Sequence, residues 1–425
     1  MRSTIRVARP AGAVRSRFTD EGEGAEPMAR LRACRMEDLL GRAPVELMLP
    51  ELALDLAGRR VLITGAAGSI GSELARQVAR HHPGNLVLFD RDETQLFYLE
   101  LELEAAHPDL RLTAVIGDIT DRVAVARAFQ RYRPARVFHA AAYKHVPMME
   151  TNAREALRNN VIGAYHVASV SGAYGAEKFV LMSTDKAVRP CSVMGASKRL
   201  AELAVLGLQD AYPDTAYCGV RFGNVLGSRG SVLPIFLRQV EADLPLTVTH
   251  PDVTRYFMTI PEAVQLILQA TLLPAIRGNL AMLEMGEPVR IVELAQNFLR
   301  LIGRENGNGH GIVFTGLRPG ERLHEELVAP DEATLATSVP KVRLLMTPRT
   351  LNGSGGIGRL MPRWTRLIEA GAEAEVLTYL RKHFPELRFA ASCCEIGPAP
   401  ADEAAARSAQ PGSASLVAGV SAGVS

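Results

Sequence analysis

Val61-Leu-Ile-Thr64, followed at once by Gly65-Ala-Ala-Gly68-Ser-Ile-Gly71, is the stretch that decides the fold. The first four residues read as a short buried strand. Behind the glycines, Ile70, Leu74 and Val78 recur at helical spacing and mark a buried helix face. Strand, glycine turn and helix in this order are the context that makes a G-x-x-G-x-x-G pattern a dinucleotide site. Gly65 permits the tight turn and Gly68 lets backbone approach a pyrophosphate. Gly71 lets helix and strand pack closely. With Ser69 and Ile70 they form the expected pyrophosphate contacts at a positive helix end.

The alternation continues outward. Leu86–Phe89 is the second strand and ends in Asp90, 19 residues after Gly71, where adenosine ribose hydroxyls would lie. Asp90 repels a 2′-phosphate and favours NAD, whereas Arg91 beside it suits that phosphate and leaves NADP open. Leu112–Ile116 is the third strand. Asp118 and Ile119 after it are candidates to flank the adenine, although Asp118 reads equally well as a turn carboxylate. Arg136–Ala140 is the fourth strand, and the small residues Ala140, Ala141 and Ala142 leave room for a cofactor. Lys144 then faces the crevice or solvent, and His145 reads first as a loop histidine. A helix is expected over Ala153–Tyr174, with Asn160 placed to pin nearby backbone. Strands alternating with helices imply parallel βαβ units, hence an α/β fold of the extended Rossmann type with a doubly wound parallel sheet.

Phe179–Met182 reads as a further strand, running into Ser183-Thr184-Asp185-Lys186, and Met194-x-x-x-Lys198 opens the helix after it. A hydroxyl, a carboxylate and an amine at a strand's carboxyl end suit proton transfer, because ligands of open α/β sheets bind there. The same residues also read as a polar loop with an N-cap. Past the strand Ala216–Arg221 the alternation breaks down, and a smaller mixed lobe is expected. Arg255 and Arg318 in it have the guanidinium forks that match a diphosphate, or else form surface salt bridges. One or two further helices are expected between about 330 and 390, with Trp364, Leu367, Ile368, Val376, Leu377 and Leu380 as a core stripe.

The 425 residues are 47% hydrophobic and 22% charged with a net charge of +2, which is ordinary globular composition and argues against a nucleic-acid partner. Five cysteines without metal-ligand spacing suit a reducing compartment and give no metal site. No run of 18 apolar residues predicts a transmembrane helix. The expected organisation is a disordered segment over 1–35, a lead-in over 36–58, a nucleotide-binding domain over 59–222, a substrate lobe over 223–390 with some strands and helices returning to the core, and a disordered tail over 391–425.

Seven motifs in order extend this reading: Thr64–Glu73, Ala141–Pro147, Ser183–Ala187, Val193–Arg199, Gly223–Ser228, Thr254–Met258 and Arg318–Glu321. Together they resemble the UDP-N-acetylglucosamine 4,6-dehydratases of bacterial surface-polysaccharide synthesis, in the nucleotide-sugar branch of the extended short-chain dehydrogenase/reductases. The resemblance implies a UDP-sugar substrate, bound NAD and a homo-oligomer. It also implies a cytoplasmic place, peripheral to the inner face of the membrane. It casts Lys186 as the base at sugar C5, provided its pKa is lowered, and Asp185 as the acid for the departing C6 hydroxyl. Thr184 would hydrogen-bond the C4 oxygen and Lys198 would hold the nicotinamide ribose. Met194 stands where the superfamily usually has tyrosine. Lys144, Asn160, Asn224, Val232, Arg255, Arg318 and Glu321 would contact substrate. Longer members of that family carry membrane helices and a further nucleotide-fold domain ahead of the Leu39–Arg42 segment, so this chain resembles their catalytic part. A UDP-sugar 4-epimerase and a non-catalytic NAD-binding protein are the competing readings.

Overall fold

The structure, a computed structural model, describes residues 50–303, 311–346 and 357–383. The expectations for 1–35, for 36–49 of the lead-in and for 391–425 lie outside these residues. Six strands, β1 (Arg60–Thr64), β2 (Asn85–Asp90), β3 (Leu112–Ile116), β4 (Arg136–His139), β5 (Lys178–Thr184) and β6 (Ala216–Phe222), pair in the order β3-β2-β1-β4-β5-β6, each pair parallel. Apart from the edge strand β3, which is half-buried, their apolar runs are buried because helices cover both faces. One face packs against α1 (Pro50–Leu56), α2 (Ser69–Ala79) and α3 (Glu93–Ala106), with Val61 and Ile63 turned toward them. The other takes Leu62 and meets α4 (Arg122–Tyr132).

The strand order reverses beside β1. The chain passes from β1 out to β3, then returns to β4 on the other side, where Thr64 lies opposite His139. Such a reversal opens a crevice at the carboxyl ends of the strands. Gly65 and Ala140 therefore stand on its two walls.

After β4 come α5 (Val146–Thr151) and α6 (Ala153–Ala156). The single helix expected from Ala153 instead runs through a π-helical stretch, Leu157–Gly163, into α7 (Ala164–Ala173). π-Helical insertions are found mostly where function needs a side chain re-aimed. Here Asn159 and Asn160 are both buried in that stretch. α8 (Val193–Leu206) follows β5; Ser192 Oγ accepts from Gly195 N at 3.0 Å and Glu150 Oε1 accepts from Val193 N at 2.8 Å, satisfying its first turn.

Beyond β6 the chain builds a second apolar core around Leu226, Phe236 and Phe298 from α9 (Val232–Glu241), α11 (Ile291–Leu301) and short strand pairs. These are β7 (Asn224–Val225) with β10 (Phe257–Met258), β8 (Leu246–Val248) with β13 (Ile312–Phe314), and β9 (Thr254–Arg255) with β12 (Val289–Arg290). Between them, α10 (Ile260–Ala270) packs on the α1–α3 face of the main sheet. β11 (Leu280–Leu283) then joins the main sheet parallel to β6. β15 (Val342–Met346) adds to it antiparallel, and β14 (Ala333–Ala336) to β15. These two strands come ahead of the one or two helices expected between about 330 and 390. Ala-Thr-Leu-Ala carries almost no strand signal, and pairing with an existing edge forms it. Further on, α12 (Ile357–Glu369) and α13 (Glu373–His383) bury Trp364, Ile368, Val376 and Leu377 against Leu157, Val161 and Leu200, so the stripe is core. No helix among the described residues is long and apolar enough to cross a membrane.

A buried charge network ties these layers together. Glu202 of α8 accepts from Arg221 Nε at 2.7 Å and Nη2 at 2.8 Å, from Ser183 Oγ at 2.6 Å and from Arg199 Nη1 at 3.0 Å. Arg221 Nη1 reaches both oxygens of Glu332 at 2.8 Å. Burial raises the pKa of Glu202, but the Arg221 and Arg199 guanidinium groups outweigh it and hold the carboxyl at about 2. Glu202→Ala strands Arg221 without its main counter-charge and is expected to lower stability by about 3–5 kcal/mol in urea denaturation. The pH dependence has a definite sign. The folded pKa lies below the unfolded value, so this carboxylate stabilises above about pH 4.5 and loses that contribution as pH falls toward about 2. Glu202→Gln is therefore expected to flatten the fall of the melting midpoint between about pH 4.5 and pH 3. A fall as steep as wild type's would assign the acid limb to other groups.

Candidate active site

The crevice is built first by the glycine turn. Gly65 has φ +66°, and a Cβ there would collide with the backbone of Ala140 and Ala141. A Cβ on Gly71 would strike the Gly65 carbonyl. Gly68 caps α2 without a side chain, so the first N–H groups of the helix meet no side-chain acceptor and are available to an anion. Ser69 and Ile70 are the first two residues of that helix. Asp90 at the end of β2 is held by Ala67 N at 2.8 Å and Asp92 N at 3.0 Å. Arg91 lies 4.8 Å over the Tyr143 ring and 3.9 Å from Asp118, and is thereby engaged already. Asp118, Ile119, Ala140, Ala141 and Ala142 line the same cleft. A glycine floor, a bare helix end and a carboxylate at the second strand are together the donor and acceptor set of a dinucleotide site.

Two residues of this cleft were not singled out in the sequence. Asn159 lines it and donates to Asn160 Oδ1 at 3.0 Å. Arg229 crosses from the loop after β7, donating its backbone N–H to Ser69 Oγ at 3.1 Å and its guanidinium to Ala67 O. Its signal was proximity to a glycine-bearing loop quoted for Asn224 alone. Asn160 pins backbone as expected. It accepts from Tyr143 N at 2.8 Å, donates to Tyr143 O at 3.0 Å and reaches Ser197 Oγ at 2.9 Å.

The end of β5 carries the titratable cluster. Thr184 Oγ1 donates to Asp185 Oδ1 at 2.8 Å, and Lys186 Nζ donates to the same oxygen at 3.0 Å. Lys186 Nζ also meets Asn224 Oδ1 at 3.0 Å and Glu325 Oε1 at 3.7 Å. Asp185 Oδ2 is buried and accepts no hydrogen bond among the described residues. An orphaned carboxylate oxygen is costly, and a hydroxyl donated by a ligand removes the cost. The condition set on Lys186 is corrected: burial lowers its pKa, but Asp185 and Glu325 overcome this and raise it, so Lys186 is a paired cation. Glu325 itself was missed, because the run Arg322–Glu326 reads as a solvated charged face.

Lys198 Nζ donates to Met182 O at 2.7 Å, and burial brings its pKa down to about 8. Beneath it His139 bonds Thr64 Oγ1 at 2.7 Å, and burial followed by the Lys198 charge keeps it neutral, with a pKa of about 3. Met194 is not turned into chemistry. It is buried with Val146, Met149, Ala156 and Val193 and contributes packing.

On the substrate side the expected residues divide. Arg255 lies 3.8 Å from Glu325, which places it one carboxylate away from Lys186; it also donates to the carbonyls of Thr254 and Arg322. Lys144 Nζ meets Ser228 Oγ at 3.2 Å. Val232 opens α9. Arg318 sits on an exposed turn and pairs with Glu321 at 2.6 Å, so these two satisfy each other and stand apart from the ion pairs of Lys186. Gly320 between them abuts Glu150 and Ser192 at the start of α8.

Comparison with known proteins fits this geometry. The family model described as "Polysaccharide biosynthesis protein" matches residues 61–347. The capsular polysaccharide biosynthesis protein CapD of Staphylococcus aureus is 46% identical over 303 residues, 71% of this chain and 50% of that protein. The probable polysaccharide biosynthesis protein EpsC of Bacillus subtilis is 45% identical over 322 residues, covering 76% of this chain and 53% of its own length. The chain thus spans about half the length of these curated relatives. Among solved structures, Pen from Bacillus thuringiensis superposes with a TM-score of 0.64 at 31% identity, covering 69% of this chain and 90% of that one. With its model matching residues 61–347, across both the sheet and the smaller core, the chain belongs to the polysaccharide biosynthesis protein family.

Proposed function

We propose that the chain is a nucleotide-sugar-modifying enzyme whose reaction is the NAD-dependent dehydration of a UDP-N-acetylhexosamine, UDP-N-acetylglucosamine foremost, to the 4-keto-6-deoxy sugar. The observation that carries this is the Thr184–Asp185–Lys186 cluster with its unsatisfied Asp185 Oδ2, two strands away from the dinucleotide cleft. NAD fits better than NADP, because Asp90 stands where a 2′-phosphate would lie and Arg91 is engaged by Asp118 and Tyr143. When bound, a nicotinamide would take the hydrogen of sugar C4 as hydride and return it to C6 once water has left, while C5 regains a proton.

The chain's own residues supply the proton transfers. Thr184 Oγ1 is available to the C4 oxygen. Oxidation at C4 acidifies the C5 proton, which needs a base, while the C6 hydroxyl needs an acid to leave as water. Lys186 and Asp185 as a charged pair are neither. Transfer of one proton along their 3.0 Å hydrogen bond yields a neutral amine and a carboxylic acid, which are both. In model compounds that transfer costs about 9 kcal/mol, from pKa values about 6.5 units apart. Exclusion of water by a bound sugar shrinks this gap, because two neutral groups are favoured over two charges in a buried site. Asp185 Oδ2 faces the C6 oxygen in this reading. Arg255, in reach of Glu325, takes the diphosphate. A cytoplasmic place at the inner face of the membrane and a homo-oligomer remain part of this proposal.

Incubation with UDP-N-acetylglucosamine and NAD in heavy water should give a product that has lost one water and gained deuterium at C5, read by mass and proton spectra. Appearance of the galacto isomer without loss of water would move the assignment to a 4-epimerase. Lys186→Ala is expected to lower turnover by roughly 10²–10⁴-fold while the protein still binds NAD by fluorescence titration. Turnover that survives would remove Lys186 from the role of base. Lys198 adds a pH effect. It is charged below about 8 and neutral above, so NAD affinity should weaken as pH rises through about 8. Lys198→Met should abolish that dependence.

A further inference from the structure

At the amino ends of β1, β2 and β3, on the opposite end of the sheet from the crevice, a second cavity is lined by Arg60, Arg111, Arg131 and Arg133 with Asn85 and Tyr132. Roughly 16 Å of strand separates Arg60 from Gly65, so a nucleotide in the crevice does not extend here. None of the four guanidinium groups forms an ion pair among the described residues. Arg60 Nε donates to Arg133 O at 2.6 Å, Arg131 lies 5.4 Å over Tyr132 and Arg133 lies 5.1 Å over Tyr174. Two carboxylates at this end of the sheet are already paired, while Asp109 ahead of β3 is exposed and forms no ion pair with the four arginines among the described residues. Asp55 is paired with Arg136 and Lys178, and Glu177 with Arg59 and Arg136. Asn85 is 4% exposed; its Oδ1 accepts from Thr113 Oγ1, and its Nδ2 donates to nothing among the described residues.

Four like charges in one concavity repel each other within a screening distance of about 8–10 Å. A chain with a net charge of only +2 concentrates them here without a paired counter-charge. Guanidinium forks offer paired N–H groups at the spacing of phosphate oxygens, and a buried amide donor adds a fixed neutral contact. We propose that this cavity binds a phosphate-bearing anion, supplied by a soluble polyphosphate compound or by an anionic lipid headgroup.

Arg111 and Arg131 are the pair to change, since both are exposed and neither side chain makes a hydrogen bond among the described residues. The test is calorimetric titration of the full chain with inorganic tripolyphosphate, the crevice first saturated with NAD and UDP. Beside it runs co-flotation with vesicles of phosphatidylglycerol and phosphatidylcholine. The Arg111→Ser/Arg131→Ser protein should bind tripolyphosphate roughly tenfold or more weakly than wild type, the loss of one or two charge-assisted contacts. A control, Arg238→Ser/Arg363→Ser, removes the same charge elsewhere and should bind as wild type. If tripolyphosphate does not bind wild type but flotation is lost only in the cavity variant, the source is the lipid headgroup. Equal behaviour of the cavity variant and wild type in both arms would overturn the proposal, as would an equal loss in the control.

Discussion

Removing Glu202 and Arg221 from water commits them to one another, and much of the molecule is arranged around that commitment. Each ion alone would carry a desolvation penalty of several kcal/mol, so neither can be released without cost. The pair recruits Ser183 from β5, Arg199 from α8 and Glu332 from the segment leading into β14. It therefore fixes the end of β5, and with it the three residues that follow. On the same face of α8, one turn earlier, Lys198 is carried onto the Met182 carbonyl. What this burial contributes is location, since a buried ion pair adds little net energy over an apolar substitute.

The site itself depends on a balance of charge. Lys186 is surrounded by Asp185, Glu325 and Asn224, and Glu325 also faces Arg255. One carboxylate is thus shared between the cation that would serve chemistry and the cation that would hold a diphosphate. An anion arriving at Arg255 competes with Glu325 for that guanidinium, which links occupancy of the phosphate side to the field at Lys186.

The parallel strands β1 to β6 were legible because each is a short apolar run, most of them bounded by glycine or a carboxylate. The glycine turn was legible because its spacing answers a backbone need, as the collisions at Gly65 and Gly71 show. Thr184, Asp185 and Lys186 stood out in the sequence because they crowd one strand end, and Lys198 because it opens the helix after it. Glu325 and Arg229 were not, since each reaches the crevice from a loop far along the chain, and nothing local distinguishes them from solvated charge. The protonation of Lys186 was misjudged for a related reason. Its burial could be inferred, but the count of carboxylates around it is a tertiary fact. Strands returning to the core were expected in the lobe, but the positions of β11, β14 and β15 were not read, because a strand that extends an existing sheet borrows its stability from the neighbour it joins.

The antiparallel return at β15 and β14 has a bearing on how such a molecule can change over evolutionary time. Glu332, on the approach to that return, completes the coordination of an arginine in β6, which belongs to the nucleotide-binding half. The smaller core is consequently no interchangeable module. Grafting a different lobe onto the same sheet would import a foreign sequence at the very position that neutralises Arg221. Recombination between relatives is thereby confined to exchanges that carry both members of the pair, so the two halves are expected to be inherited as one unit.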